Sequence, residues 1–194
     1  MARPREFDVD SALEAAMQTF WAKGYEATSV DDLCESTGLG RSSLYAAFVD
    51  KRQLYLRALD RYEDAAAARV AAALAGPLPI RKSIAAFLDR IIDDIVSGLG
   101  RRGCFIGNCA AEIPRGDRRA VNQVRRSLAR VEKVFREALA GAKASGEIAR
   151  TSDVIALARF FTSGIQGLRL VGKANPDRKV LEDIAKVMLR SLDV

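Results

Sequence analysis

The sequence predicts an all-α protein with about nine helices. Apolar residues recur with the period of an α-helix along almost the whole chain, and no segment shows the alternation typical of a half-buried strand. Breaks containing glycine or proline separate the periodic segments. The chain has 194 residues, of which 49% are hydrophobic and 29% charged, and this balance is typical of a globular protein with a substantial core.

Glycines delimit the first two helices. The first is predicted over about residues 9–23 and ends at Gly24, because glycine readily adopts the backbone conformation that terminates a helix. Thr28 is the expected N-cap of the second helix, which buries apolar residues before Gly38. Both helices are therefore short and close together in the chain.

The third and fourth helices follow without a long linker. The third spans about residues 41–48 after the tight turn GLG, and Asp50 is a suitable N-cap for a long fourth helix that reaches Leu74. The motif GPLP ends that helix. Five more helices are predicted at about residues 80–97, 104–112, 117–144, 152–171 and 177–192.

The charge distribution does not identify a partner by itself. The formal net charge is +6, which favours an anionic partner. Residues 1–60, however, contain seven Lys and Arg side chains against ten Asp and Glu, which leaves a net charge of −3. A nucleic-acid-binding function must therefore depend on where individual cations lie.

Composition excludes several kinds of catalytic and metal site. The chain has no histidine and only three cysteines, so His-dependent catalysis is excluded and the common zinc sites cannot be assembled. Cys104 and Cys109 are five residues apart, about 140° around a helix, and do not converge on one ion. We therefore expect no metal and no cofactor.

An enzyme is the main alternative class. Glu112 and Asp117 are the nearest approach to a catalytic carboxylate pair, but Pro114 and Gly116 interrupt the helix between them, so nothing fixes their separation. The segment GLGRSS has Ser43 where the third glycine of a dinucleotide-binding motif belongs, and no strand precedes it. We expect the protein not to be an enzyme.

A cytoplasmic location is predicted. The N-terminal segment MARPREFDVD lacks the apolar core of a signal peptide, and the uncharged run at residues 70–80 is shorter than the ~20 residues of a membrane span. A basic helical protein bound to an anionic membrane surface is a third class, but long arginine side chains are more often simply solvated, and we expect no membrane partner. The arginines that raise this alternative are Arg101, Arg102, Arg115, Arg118, Arg119, Arg125, Arg126 and Arg130.

Residues 28–51, TSVDDLCESTGLGRSSLYAAFVDK, carry the most specific signal. Two short helices meet at a glycine-containing turn, which is the plan of a helix-turn-helix whose second helix enters the major groove of DNA. Small residues on that helix permit close approach, and the guanidinium of Arg41 can reach a guanine edge or a phosphate. Leu44 and Phe48 fall on the side that packs inward.

This segment resembles the DNA-binding region of the tetracycline-repressor (TetR) family, and the resemblance covers about residues 7–58. It implies a sequence-specific DNA-binding transcriptional regulator, most simply a homodimeric repressor of a palindromic operator in double-stranded DNA. The matching positions are Thr28, Val30, Asp32, Leu33, Gly38, Leu39, Arg41, Leu44, Tyr45, Phe48, Lys51 and Leu54.

Site residues follow from this resemblance and from the chemistry of the side chains. Ala46 and Ala47 depart from the family pattern, because many members carry aromatic or His side chains there that touch phosphates. Arg3 and Arg5 could form a minor-groove arm or a solvated tail. The residues predicted to contact DNA are Thr28, Gly40, Arg41, Ser42, Ser43, Tyr45 and Lys51.

The chain is expected to divide into a DNA-binding domain at residues 1–50 and a helical ligand-binding and dimerisation domain at residues 51–194. A palindromic operator requires two recognition helices ~34 Å apart, hence a two-fold symmetric dimer. The last two helices are the expected interface, although the same apolar stripes could serve only to close the core of one chain. The interface candidates are Gly164, Gly167, Leu168, Leu181, Ile184 and Met188.

The middle helices are expected to enclose a cavity for an unknown small-molecule inducer, as they do in the family. Binding there would shift the long fourth helix, change the spacing of the recognition helices and release DNA. Taken singly, each candidate lining residue is more often plain core than a ligand contact. These candidates are Phe87, Ile91, Ile95, Cys104, Phe105, Asn108, Phe160, Phe161 and Gln166.

Residues 101–112, RRGCFIGNCAAE, offer a second kind of input. Cys104 is predicted at a helix N-terminus behind two arginines, where the pKa of a thiol is lowered. The stretch also resembles the GC-(L/F)-xx-N motif of a TetR subgroup, some of whose members sense electrophiles or oxidants through that cysteine. Cys104 is thus a candidate redox or electrophile sensor, with a small core residue as the alternative.

Overall fold

A computed structural model describes residues 8–112 and 117–193. All regular structure in these ranges is helical, so the predicted fold class is confirmed. Arg3, Arg5 and Arg115 lie outside the described residues. The helices of the described ranges are α1 (Val9–Lys23), α2 (Val30–Thr37), α3 (Arg41–Phe48), α4 (Lys51–Leu74), α5 (Ile80–Val96), α6 (Phe105–Glu112), α7 (Arg118–Ser145), α8 (Val154–Ala174) and α9 (Arg178–Arg190).

Ser29, not Thr28, is the N-cap of α2. The hydroxyl of Ser29 accepts a hydrogen bond from the Asp32 amide at 3.0 Å, and the Asp32 carboxylate accepts one from the Ser29 amide at 2.8 Å. This reciprocal capping box satisfies two amides that a helix start leaves unpaired. The predicted cap was one residue too early, because Thr and Ser are similarly suited to the position and stand side by side in the sequence.

Two hydrophobic cores meet along α4. The N-terminal core contains α1–α3 and the first part of α4, with Phe20 and Leu33 fully buried. The C-terminal core contains α5, α7, α8, α9 and the last part of α4. Phe135 and Phe161 stack within it with their ring centroids 5.7 Å apart. Because α4 belongs to both cores, displacing it affects both.

The helix α6 packs into the N-terminal core although it follows α5 in the chain. Cys104, Phe105, Ile106 and Cys109 all join the residues of α1–α4 there. The ring of Phe105 meets that of Tyr55 edge-on, with centroids 5.6 Å apart. The N-terminal core thus takes in residues from both sides of the predicted domain boundary at residue 50, which stays a prediction.

By length and composition alone, α8 could cross a membrane. The helix packs against α7, α5 and α9, and 28% of its most apolar window is buried. A packed helix of a globular protein meets the same criterion, so this feature is weak evidence for a membrane span. Part of its apolar surface, including Phe160, faces solvent.

Candidate functional site

One side of α3 is exposed and built mainly from small residues. Gly40 is the N-cap of the helix, and Leu44 and Phe48 anchor the opposite side in the N-terminal core. The anchored side holds the helix in place while its first turn remains accessible. We call the exposed set the recognition face: Gly40, Arg41, Ser42, Ser43, Tyr45 and Ala46.

The long cation of the recognition face is paired with a carboxylate of α2. The Asp31 carboxylate accepts hydrogen bonds from Arg41 Nε at 3.2 Å and from Arg41 Nη2 at 2.8 and 3.0 Å. Both side chains are mostly exposed. Asp31 therefore orients the guanidinium and offsets part of its charge at the surface that was predicted to meet DNA.

The other predicted DNA-contacting residues differ in accessibility. Tyr45 is 41% exposed, and the ammonium of Lys51 lies 4.5 Å from the ring centroid of Tyr25 beside α3. Thr28 is only 1% exposed, and its hydroxyl donates to the Gly24 carbonyl at 2.6 Å. The Thr28 side chain therefore stabilises the turn before α2 in this structure, whereas Tyr45 is presented to solvent.

The acidic residues of α2 are partly neutralised. Asp32 accepts a hydrogen bond from Lys23 at 2.6 Å, and this bond together with the Ser29 amide lowers the pKa of Asp32 to about 2. Asp31 is occupied by Arg41. The negative charge counted in the N-terminal segment is therefore less of an obstacle to a polyanion than the sequence suggested.

Two adjoining cavities lie among the helices of the C-terminal region. A cleft of about 410 Å³ runs between α4 and α5 and reaches Arg169 of α8. A smaller inner cavity of about 40 Å³ lies deeper, beside Tyr62, Cys104 and Gln166. Arg69, Phe87 and Arg169 line both, so the inner cavity adjoins the end of the cleft.

The predicted lining residues are distributed over several places. Phe87 and Ile91 line the cleft, and Phe87, Cys104 and Gln166 line the inner cavity. Ile95 and Phe161 are buried in the C-terminal core, and Phe105 is buried in the N-terminal core. Phe160 is exposed elsewhere on α8, and the Asn108 amide donates to the Arg102 carbonyl at 2.9 Å. The structure therefore brings together four of the candidates: Phe87, Ile91, Cys104 and Gln166.

Sequence reasoning missed the arginines of the cleft. Arg69, Arg90 and Arg169 come from α4, α5 and α8, and they converge only in the folded chain. Single arginines on amphipathic helices look like ordinary surface residues. Only the packing of the three helices distinguishes them.

Tyr62 lies near Arg69 and Arg169 and contacts Cys104. Its hydroxyl donates to the Cys104 sulfur at 3.7 Å, and Cys104 is 8% exposed. Burial raises the pKa of the Tyr62 phenol, while the nearby positive charges of Arg169 and Arg69 oppose that rise. The phenol therefore stays protonated and donates to the sulfur.

The second cysteine of the segment is buried and protonated. Burial raises the pKa of the Cys109 thiol, although a hydrogen bond with Tyr55 acts in the opposite direction. A raised thiol pKa lowers the thiolate fraction and hence the reactivity. Cys109 is therefore a buried residue of the N-terminal core.

The ends of the α6 region contact α1 and the turn that follows it. The Arg102 guanidinium lies 4.4 Å from the centroid of the Trp21 ring and donates to Gln18 at 2.8 Å. At the other end, the Glu112 carboxylate accepts a hydrogen bond from the Tyr25 amide at 3.1 Å. These contacts join both ends of the α6 region to α1 and to the turn before α2.

An apolar hollow of about 570 Å³ lies on the surface of α8 and α9. Of the predicted interface residues, Leu168 and Leu181 are fully buried within the chain, and Met188 is buried with its methyl group against Gly164. A Cβ atom added at Gly167 would have no heavy atom within 4 Å, so the surface is open there. The apolar residues of the hollow are Phe160, Gly164, Gly167, Leu168, Val171, Ile184, Val187 and Met188.

Among residues 8–112 and 117–193, no group of three His, Cys, Asp or Glu side chains could hold a metal ion. Glu112 and Asp117, the carboxylates of the enzyme alternative, are occupied by the Tyr25 amide and the Arg52 guanidinium respectively. Asp117 also caps α7. Both carboxylates therefore have structural contacts, and a catalytic role is not needed to explain where they lie.

Comparison with known proteins agrees with the geometry of α2 and α3. Residues 12–58 match the family model of the bacterial regulatory proteins of the tetR family, and residues 80–188 match the tetracyclin repressor-like C-terminal domain. The HTH-type transcriptional repressor ComR of Escherichia coli (strain K12) is 37% identical over 191 residues, which cover 97% of this chain and 90% of ComR. The HTH-type transcriptional regulator YezE of Bacillus subtilis (strain 168) is 30% identical over 194 residues, with both chains fully covered.

A solved structure gives the same result. A cysteine mutant of the TetR family transcriptional regulator CifR, complexed with 26-base-pair double-strand operator DNA, has a TM-score of 0.87 and 29% identity, with 98% of this chain and 100% of CifR covered. Similarity therefore extends from the DNA-binding helices to α9. The chain belongs to the TetR family and is a DNA-binding transcriptional regulator, not an enzyme.

Proposed function

We propose that the protein is a repressor that binds a palindromic operator as a homodimer and is released by a small-molecule ligand or by modification of a thiol. The observation that carries this proposal is the recognition face of α3, exposed on a helix anchored by Leu44 and Phe48. ComR is named a transcriptional repressor, and CifR is complexed with operator DNA. Both relatives support the assignment of the output, and a cytoplasmic location is consistent with it.

Each exposed side chain of the recognition face suits one kind of contact. Arg41 can form a bidentate contact with guanine or hold a phosphate, and Tyr45 can donate its hydroxyl to a phosphate. Ser42 and Ser43 are short enough to let the helix backbone approach the base edges. Lys51 adds a backbone contact at the start of α4.

Release of DNA requires that a change in the cavities alters the position of α3. Two sets of contacts link the cavities to α3. The helix α4 lines the cleft through Arg69 and supports α3 through the N-terminal core. The helix α6 is adjacent to the inner cavity at Cys104 and touches the α1 region through Arg102 and Glu112. A coupling free energy of ~1–3 kcal/mol would weaken operator binding by several-fold to more than a hundredfold.

The decisive experiment is a mobility-shift titration with the DNA upstream of the protein's own gene, against a scrambled duplex of equal length. We expect a specific complex that Arg41→Ala weakens by about fivefold to more than a hundredfold, since a bidentate base contact contributes ~1–3 kcal/mol. Arg136→Ala, a charge change at an exposed position of α7, is the matched control and should bind normally. Equal affinity for the scrambled duplex would contradict a sequence-specific repressor.

A further inference from the structure

The cleft and the inner cavity together have the form of a ligand site with a charged centre. The cleft of about 410 Å³ falls within the ~300–1,000 Å³ typical of small-molecule sites. Phe87, Ile91 and several alanines give it an apolar wall. Arg69 and Arg169 stand where the cleft meets the inner cavity.

The arginines of the cleft lack anionic partners. Within the described part of the chain, Arg69, Arg90 and Arg169 form no ion pair and no side-chain hydrogen bond, although Asp94 also lines the cleft. A larger groove of about 650 Å³ between α1 and α4 shares Arg69 with the cleft, but its Arg61 is bound to Glu14 at 2.7 Å, and Asp60 and Asp64 also line it. The positive charge of the cleft therefore remains available to a ligand.

Gln166, which lines the inner cavity, also carries a buried acceptor. The side-chain carbonyl oxygen of Gln166, on the wall of the inner cavity, is buried without a hydrogen-bond partner. This oxygen lies close to the backbone of α6, because a Cβ atom added at Gly107 would be 3.1 Å from it. A buried acceptor without a donor is unfavourable, so a ligand that brings a hydroxyl there gains binding free energy. Gln166 and Arg169 are three residues apart on α8 and share a face of that helix.

We propose that the effector of this regulator is a hydroxycarboxylic acid with an apolar body. Its carboxylate lies between Arg69 and Arg169, its hydroxyl donates to Gln166, and its apolar body lies in the cleft against Phe87 and Ile91. This inference rests on the proposed ligand-responsive function and adds the chemical class of the ligand. Planar guanidinium groups bind carboxylates through paired, charge-assisted hydrogen bonds, which neutral ligands cannot reproduce.

Other ligand chemistries fit the observations less well. A cationic ligand would face three arginines and one carboxylate. A purely apolar ligand would leave Gln166 unpaired and would place hydrocarbon beside the guanidinium groups of Arg69 and Arg169. The charge and the hydroxyl donor are therefore separate requirements, and matched compounds can test each.

Titration calorimetry with two matched sets of compounds tests the proposal. The aromatic set is mandelate, phenylacetate and mandelamide, and the aliphatic set is 2-hydroxyoctanoate, octanoate and 2-hydroxyoctanamide. In at least one set we expect the hydroxy acid to bind about tenfold or more tightly than the neutral amide, because a charge-assisted contact is lost. We expect it to bind several-fold more tightly than the acid without a hydroxyl. Equal affinity for acid and amide in both sets, or no binding by either acid, would overturn the proposal.

Variants locate the site. Arg169→Gln and Arg69→Gln should each weaken binding of the hydroxy acid about tenfold and reduce its preference over the amide, while Arg169→Lys retains part of the affinity. Arg136→Gln, which changes an exposed α7 arginine away from both cavities, should bind like the unchanged protein. Melting temperatures of all variants show that they are folded. A full preference for the acid in Arg169→Gln would place the anion site elsewhere and overturn the assignment.

Operator binding is measured separately, so the two proposals can fail independently. If the protein binds no operator but binds the hydroxy acid with the expected preference, only the repressor function is wrong. If it binds an operator that a neutral compound releases and the acids do not, the hydroxycarboxylate inference alone is wrong. If the hydroxy acid binds and releases the operator, and Arg169→Gln requires about tenfold more of it, both are supported.

Discussion

The pair between Asp31 and Arg41 affects the proposed DNA contact more than the stability of the fold. Because both side chains are exposed, the pair contributes little to the free energy of unfolding. On the recognition face, however, Asp31 places a negative charge beside the cation that is proposed to bind DNA. We predict that Asp31→Asn tightens operator binding by roughly three- to tenfold with little change in melting temperature. Fluorescence anisotropy with labelled operator measures this.

Glu35→Gln is the control for that substitution. It removes the same charge from an exposed position of α2 without touching Arg41. If the two variants gained affinity equally, the effect would come from net charge, and the specific role of the Asp31–Arg41 pair would be refuted. Because added salt screens distant charges more strongly than a contact pair, high ionic strength should reduce the effect of Glu35→Gln more than that of Asp31→Asn.

Glu63 is a buried carboxylate between α4 and α7. It is 3% exposed, and its Oε1 accepts hydrogen bonds from Gln123 and Ser127 while Oε2 has no hydrogen-bond partner. Burial raises its pKa from 4.5 to about 7, and the nearby guanidinium groups of Arg130 and Arg126 only partly offset that rise. The folded protein therefore favours protonated Glu63 at a pH where the unfolded chain has released the proton.

The sign of the resulting pH dependence follows from linkage. Since the folded-state pKa of Glu63 is the higher one, its contribution to stability falls as the pH rises from about 4.5 to about 7. Glu63→Gln removes this titration, so we predict a weaker loss of stability over that interval and a gain of roughly 2–3 kcal/mol at pH 8. Urea unfolding at several pH values measures it. Glu137→Gln, at an exposed position, should keep the original pH profile, and an unchanged profile in Glu63→Gln would contradict the assignment.

Cys104 decides between the two proposed inputs. Its sulfur accepts the Tyr62 hydroxyl beside the inner cavity, so an adduct there would displace Tyr62 and enter the space next to Gln166. If thiol modification is an input, N-ethylmaleimide or hypochlorite should release operator DNA from the unchanged protein but several-fold less from Cys104→Ser. Cys34→Ser is the control, since Cys34 lies on α2 away from both cavities. Undiminished release from Cys104→Ser would exclude a sensor at this position.

The contact between α6 and α1 can be followed through the single tryptophan of the sequence. Arg102 lies over Trp21 and donates to Gln18. We predict that Arg102→Gln lowers the free energy of unfolding by about 1 kcal/mol and alters the fluorescence emission of Trp21. Arg101→Gln is the adjacent control and should leave the emission unchanged. An emission spectrum insensitive to Arg102→Gln would show that α6 does not rest on α1 in solution.

The helices themselves were largely predictable, because their limits depend on local residue chemistry. Gly24 and Gly38 end α1 and α2, and Asp50 caps α4, all as predicted. The side on which a residue faces was harder to predict. Phe160 and Phe161 are neighbours on α8, yet one is exposed and the other buried, because consecutive helical residues are ~100° apart.

Long-range placement could not be read from the sequence. Period and caps predicted α6 as a helix, but its packing beside α1 depends on the complementary shapes of Phe105, Trp21 and Tyr62, whose rings meet only after folding. The arginines of the cleft come together for the same reason. Local patterns therefore predicted which side of α3 packs inward, whereas the grouping of residues around the cleft depends on tertiary packing.

The apolar hollow of α8 and α9 indicates how two copies would assemble. Val187 is 60% exposed on this surface, and Gly167 leaves open space beside it. We predict that Val187→Asp gives a folded monomer, because the charge does not enter the chain's own core but would be buried in the interface. Light scattering measures the mass, and the monomer should bind a palindromic operator at least tenfold more weakly, since only one recognition helix is engaged. Leu99→Asp, at an exposed apolar position outside the hollow, should remain dimeric, and a dimeric Val187→Asp would place the interface elsewhere.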